Sequence, residues 1–92
     1  MAHTIRDKAK LLARVRRIRG QIEATERALE DERACAEVLH LIAAARGAIN
    51  SLMAEVLEGH IRAHVVDPEH EPDRARAEGA AELIEVVRTY LK

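Results

Sequence analysis

The chain predicts an all-α protomer of three helices, two of them long and antiparallel and a short one at the C-terminal end, on three observations. Apolar side chains recur at alternating steps of four and three through two long stretches without proline, which is the stripe of an amphipathic helix. Pro68 and Pro72 fall together in one acidic segment, DPEHEPD, which reads as a linker. No stretch carries the period-two alternation of a strand.

In chain order, residues 1–4 read as a short arm, with His3 or Thr4 at the start of the first helix and Asp7 in its first turn. That helix runs from about Ile5 to Leu29 on Leu11, Val15, Ile18, Ile22 and Leu29, with Thr25 at the remaining heptad position. Gly20 inside it costs about 1 kcal/mol relative to alanine, so it is expected to permit a close helix approach. The acidic cluster from Glu30 to Ala34 has no apolar stripe and reads as a turn.

The second helix, Cys35 to about Val65, carries Val38, Ile42, Ala45, Ile49, Leu52 and Val56 on one stripe. Its small-residue segment from Ala43 to Ala48 suits a close helix crossing. After the linker, Ala80, Ile84, Val87 and Leu91 mark a third helix from about Pro72 or Asp73 to Leu91. Residues 1–92 are expected to form one domain.

At a rise of about 1.5 Å per residue, the second helix is a rod of roughly 45 Å, while a compact domain of this length has a radius of gyration near 12 Å. A monomer cannot bury such a rod, so an oligomer of packed long helices is expected. The chain has no Phe or Trp, and one Tyr, so its core must be aliphatic. No apolar run could span a bilayer and none resembles a signal peptide. One cysteine permits no intrachain disulfide and suits a reducing compartment. A cytoplasmic protein with no membrane association is expected.

Helix geometry places Cys35 about 37 Å from His60 along one rod, too far to share a ligand within a chain. If the second helix packs antiparallel against its copy, Cys35 of one chain meets His60 and His64 of the other, and a symmetric dimer makes two identical sites. Folding the first helix back over the second brings His3 to the same end. His60 and His64, at i and i+4, share a helix face. The candidate metal ligands are therefore His3, Cys35, His60 and His64, while His40 and His70 fall elsewhere. One thiolate and three imidazoles suit Ni(II), Co(II) or Zn(II) better than Cu(I), which prefers soft sulfur donors. Zn(II) favours four ligands in a tetrahedron; Ni(II) or Co(II) could also recruit the N-terminal amine or a backbone group.

The net charge of −1 hides an asymmetry. Arg6, Lys8, Lys10, Arg14, Arg16, Arg17 and Arg19 meet only Asp7 before residue 20, a local balance of +6. Opposing acids are nearly absent from this stretch, so salt-bridge pairing does not explain the run, whereas phosphate binding does. Lys10, Arg14, Arg16, Arg17 and Arg19 are the candidate contacts to double-stranded DNA. No helix-turn-helix, zinc finger or stacking platform accompanies them, so backbone contacts and DNA shape should dominate, with a few arginines such as Arg14 reaching bases.

HTIRDK at the start, RVRRIRGQI in the first helix, and Cys35 followed by IAAARGAINSLMAEVLEGHIRAH resemble the CsoR/RcnR/FrmR family of bacterial ligand-responsive repressors. The resemblance covers nearly the whole chain. It implies a homotetramer, a dimer of dimers, that binds operator DNA without its ligand, releases it on binding and so derepresses an efflux or detoxification gene. Copper sensors of this family resemble Cys-His-Cys sets, and here His64 stands where the second cysteine would be. His3, Cys35, His60 and His64 together look like the nickel/cobalt-sensing, RcnR-like branch, which implies Ni(II) or Co(II) as effector, with Zn(II) possible. Formaldehyde sensors are similar in pairing a cysteine like Cys35 with the N-terminal amine, usually with proline at residue 2; here residue 2 is Ala2, although RVRRIRGQIEATERALE is closer to that branch.

Three other readings make different expectations. A formaldehyde-responsive repressor would use Cys35 and the N-terminal amine. A helical metal-storage or metallochaperone protein would leave the basic strip incidental and bind no DNA at low salt. An enzyme is disfavoured, since neither an oxyanion-hole motif nor a glycine-rich loop can be read from the chain.

Overall fold

The computed structural model describes residues 3–91. Among these residues four helices follow one another: α1 (His3–Arg6), α2 (Lys8–Glu30), α3 (Cys35–His64) and α4 (Arg74–Tyr90). All are α-helical, as expected, but the first expected helix is divided. Asp7 takes φ −97° and ψ 15°, outside the helical region, so the residues before it form a single turn of their own. Aspartate competes with helical hydrogen bonding and favours helix starts. Its carbonyl accepts from Leu11 N–H at 3.0 Å and so begins the hydrogen-bond ladder of α2.

α2 and α3 form a long antiparallel hairpin joined by a tight turn. Glu32 sits at φ 53°, and Glu32 N–H and Arg33 N–H donate to the carbonyls of Leu29 and Ala28 at 3.1 and 2.9 Å. This is a Schellman termination, with glutamate where glycine is usual. At the start of α3, Ala34 offers no side-chain cap. Arg33 instead grips Glu37 in the first turn with two contacts, of 2.9 and 3.1 Å.

After α3 the chain turns through residues 65–73, and Asp73 caps α4 by accepting from Arg76 N–H at 3.2 Å. α4 then lays Ile84 and Val87 against Ala54 and Ile61 of α3, with Leu91 packed at the edge. Arg88 Nε donates to Glu58 Oε1 at 2.6 Å and ties the same two helices at the surface.

This core is small, and the remainder is a rod. The radius of gyration is 17.3 Å and the extents are 57 × 25 × 12 Å, well beyond the roughly 12 Å of a compact chain this long. Val15 and Ile22 of α2, with Leu39, Ile42, Ile49 and Met53 of α3, stay exposed. Val15, Ile22, Ile42 and Ile49 belong to the apolar stripes read from the sequence, and Leu39 and Met53 widen the exposed face beyond them. Gly20 departs from expectation: a Cβ there would meet nothing within 4 Å, so no helix of the same chain approaches it closely. The same holds for Gly47, in the small-residue segment of α3.

Candidate metal centre and nucleic-acid interface

His60 and His64 occupy the last two turns of α3. One helical turn apart, their rings lie 5.0 Å centroid to centroid, tilted by 49°. With Thr4 of α1 and Ile49, Leu52, Met53, Val56 and Leu57 of α3, they line an open apolar groove of about 880 Å³. Thr4 brings the N-terminal end of the chain to the histidine end of α3, as the folding-back argument requires. The His3 side chain, Met1 and Ala2 lie outside the described residues.

Cys35 is the first residue of α3 and is exposed. The straight helix between puts it roughly 37 Å from His60. Among the described residues, no three His, Cys, Asp or Glu side chains of one chain converge as a metal set would. The structure thus joins His60 to His64 and leaves Cys35 at the far end. Chemically the set remains a fit for a divalent ion of borderline softness, since imidazole and thiolate both suit Ni(II), Co(II) and Zn(II).

The segment after His64 carries a network that the sequence reading left as linker. Arg62 Nη1 reaches Asp67 Oδ1 at 3.2 Å and Glu69 Oε1 at 3.8 Å, while its Nε lies 3.7 Å from Glu58. Asp67 also accepts from Glu69 N–H at 3.1 Å, an Asx-turn, and its other oxygen lies 2.8 Å from His70 Nδ1. The His70 hydrogen bond, reinforced by the Glu69 N–H, holds the Asp67 carboxyl below the usual carboxylate range. The missed signal was Asp67 directly before Pro68, a turn-initiating pair. The network fixes how the chain leaves the histidine end.

Along α2, Arg16 and Arg17 are exposed, as a phosphate-binding strip requires. Lys10 and Arg14 correct the expectation that pairing does not explain the basic run. Lys10 Nζ lies 2.9 Å from Glu55 Oε1, and Arg14 Nε contacts the other oxygen of that carboxylate. Arg19 is 3.9 Å from Glu23 on its own helix. The partner of Lys10 and Arg14 comes from α3, so no reading of α2 alone could have found it. No helix among the described residues is long and apolar enough to cross a membrane.

Residues 7–89 match the family model described as metal-sensitive transcriptional repressor. The chain is 54% identical over 92 residues, all of both chains, to an uncharacterized protein in the bioA 5′ region of Serratia marcescens. It is 47% identical over 93 residues, again all of both chains, to the transcriptional repressor RcnR of Salmonella typhimurium. Among solved structures it is similar to a glutamate-to-histidine variant of the formaldehyde-responsive regulator FrmR from Salmonella enterica serovar Typhimurium. That likeness has a TM-score of 0.64 at 50% identity and covers 92% of this chain and 94% of the other.

Proposed function

The chain belongs to the metal-sensitive transcriptional repressor family, that of CsoR, RcnR and FrmR, with an RcnR-like relation, and from that premise we propose that it is a cytoplasmic repressor responsive to Ni(II) or Co(II). It binds operator DNA without metal and releases it when metal binds, derepressing a metal-efflux gene. Members of this family are repressors and not enzymes.

The observation that carries the metal reading is the paired His60 and His64 at one end of α3, with the N-terminal turn delivered to the same end and Cys35 exposed at the other. An antiparallel partner brings its own Cys35 to that pair. The exposed apolar stripe on α3 supplies the reason to associate, since an apolar face of this extent on a free protomer favours self-association. In the proposed dimer of dimers, His60 and His64 with His3 of one chain and Cys35 of another hold the ion, which crosslinks the two chains. Zn(II) suits the same donors.

Thermodynamically, metal must bind the DNA-free arrangement more tightly, and DNA must weaken metal binding by the same factor, typically about 1 to 3 kcal/mol of coupling. Metal requires Cys35 as thiolate and neutral imidazoles, so the response weakens as pH falls. The DNA surface is the α2 strip of Lys10, Arg14, Arg16, Arg17 and Arg19.

Formaldehyde is the second reading, favoured by the 50% identity to a structure named for its response to that aldehyde. Cys35 would then act with the N-terminal amine. A gel-shift titration of the metal-free protein on its own upstream DNA, with Ni(II), Co(II), Zn(II), Cu(I) and formaldehyde, separates the two. Release by Ni(II) or Co(II), lost in His64→Ala, is the expected result; release by formaldehyde alone would replace the metal reading.

A further inference from the structure

Lys10 and Arg14 are the members of the DNA strip that face a carboxylate of another helix. Both close on one carboxylate, Glu55 of α3, with Lys10 Nζ 2.9 Å from Oε1 and Arg14 Nε on Oε2. The cations are on the solvent side and the acid lies deeper: their side chains are 68% and 41% exposed, while that of Glu55 is 23% exposed. A phosphate arriving from solvent therefore meets cations whose charge Glu55 already offsets from the protein side. The donor turned toward Glu55 is not open to phosphate, and the carboxylate offsets the charge of each cation, so Glu55 weakens the hold of Lys10 and Arg14 on DNA.

We propose that Glu55 is the internal competitor for the DNA-binding cations, a positioning residue that holds Lys10 and Arg14 on α3 and withholds them from phosphate. The inference rests on the repressor reading above. It assigns the link between the two ends of the mechanism to a particular contact. Glu55 stands on α3, between the hairpin turn and the His60 and His64 pair, while Lys10 and Arg14 stand on α2. Sliding or rotating α3 on α2 by even a fraction of the 5.4 Å helical pitch breaks a 2.9 Å contact. Whatever shifts α3 against α2 thus decides whether these two charges face the protein or the DNA. Glu58, on the next turn of α3, serves a different purpose, since it is taken up by Arg88 and Arg62.

The test is the affinity of the metal-free full chain for a fluorescein-labelled duplex of its own upstream DNA, at fixed salt. Partly exposed ion pairs each shift an equilibrium by about 1.5- to 5-fold, so Glu55→Gln should tighten binding about 5-fold. Glu58→Gln, which removes the same charge one turn away, should change it less than about 2-fold by the same scale. In a Lys10→Gln background the gain from Glu55→Gln should shrink, because one of its two pairs is already gone. Circular dichroism of each variant checks that the helices are intact; should Glu55→Gln not fold, Glu55→Asp, with a shorter reach, should also tighten binding. Unchanged or weaker binding by a folded Glu55 variant would overturn the proposal, as would an equal gain with and without Lys10. If the wild-type chain binds no DNA even at low salt, the repressor reading falls and takes this inference with it.

Discussion

At the His64 end of α3, α4 covers the helix with Ile84 and Val87, Arg88 pins Glu58, and Arg62 clamps the exit loop through Asp67. At the Cys35 end, the same helix leaves a bare turn with Leu29, Leu39 and Ile42 exposed on either side. The histidine end is packed and braced within one chain; the cysteine end is held only by the hairpin and Arg33–Glu37. One helix therefore carries a finished scaffold and an unfinished face, and the proposed ligands are divided between them. Under the proposed function, the histidines are positioned before assembly, while the thiolate would arrive with a partner.

The contrast can be broken first in the core. Ile84 is 2% exposed against Ala54 and Ile61, so Ile84→Ala should cost about 2 to 4 kcal/mol in denaturant unfolding. The same truncation at Leu39, 59% exposed, should cost under about 0.5 kcal/mol of protomer stability. Its effect should surface instead as weaker self-association in sedimentation. Equal costs at the two sites would mean that the two ends do not differ in the way described.

A smaller change acts at the cysteine end. Glu32 holds a left-handed conformation that glycine adopts without penalty. Glu32→Gly should therefore stabilise the hairpin by about 0.5 to 1 kcal/mol, raising the melting temperature by several degrees.

The smallest effect sharpens the histidine end. Because His70 and the Glu69 N–H lower the Asp67 carboxyl in the folded chain, Asp67 contributes stability above the ordinary carboxylate range near pH 4. That contribution is lost as the pH falls through its lowered folded value. Asp67→Asn should give a shallower acid limb of thermal stability than the wild type; identical limbs would show that the contact contributes nothing to folding.

Much of this was legible in the residues. The steps of four and three located α3 from Cys35 and its end near residue 65, and the stripe of Ala80, Ile84, Val87 and Leu91 placed α4 from about Pro72 or Asp73, because local patterning decides those boundaries. The split at Asp7 was not legible, since one residue's departure from helical ψ leaves the apolar period intact. The His60 and His64 pair followed from i, i+4 geometry. Glu55 did not follow, because it lies more than forty residues from the cations it binds and only the fold brings them together. Gly20 misled for the opposite reason: its expected neighbour is absent from the chain's own helices.

The central claim, that the metal site is completed by a second chain, is tested most directly by subunit mixing. Cys35→Ala and His64→Ala chains should each fail to bind Ni(II) tightly. Unfolded together and refolded at equal ratio, they should regain binding, because a mixed antiparallel pair holds one intact Cys35 beside one intact His60 and His64. With random pairing of two-site dimers, about a quarter of the wild-type sites should return. No recovery, with mixed oligomers demonstrated by mass, would contradict a site shared between chains.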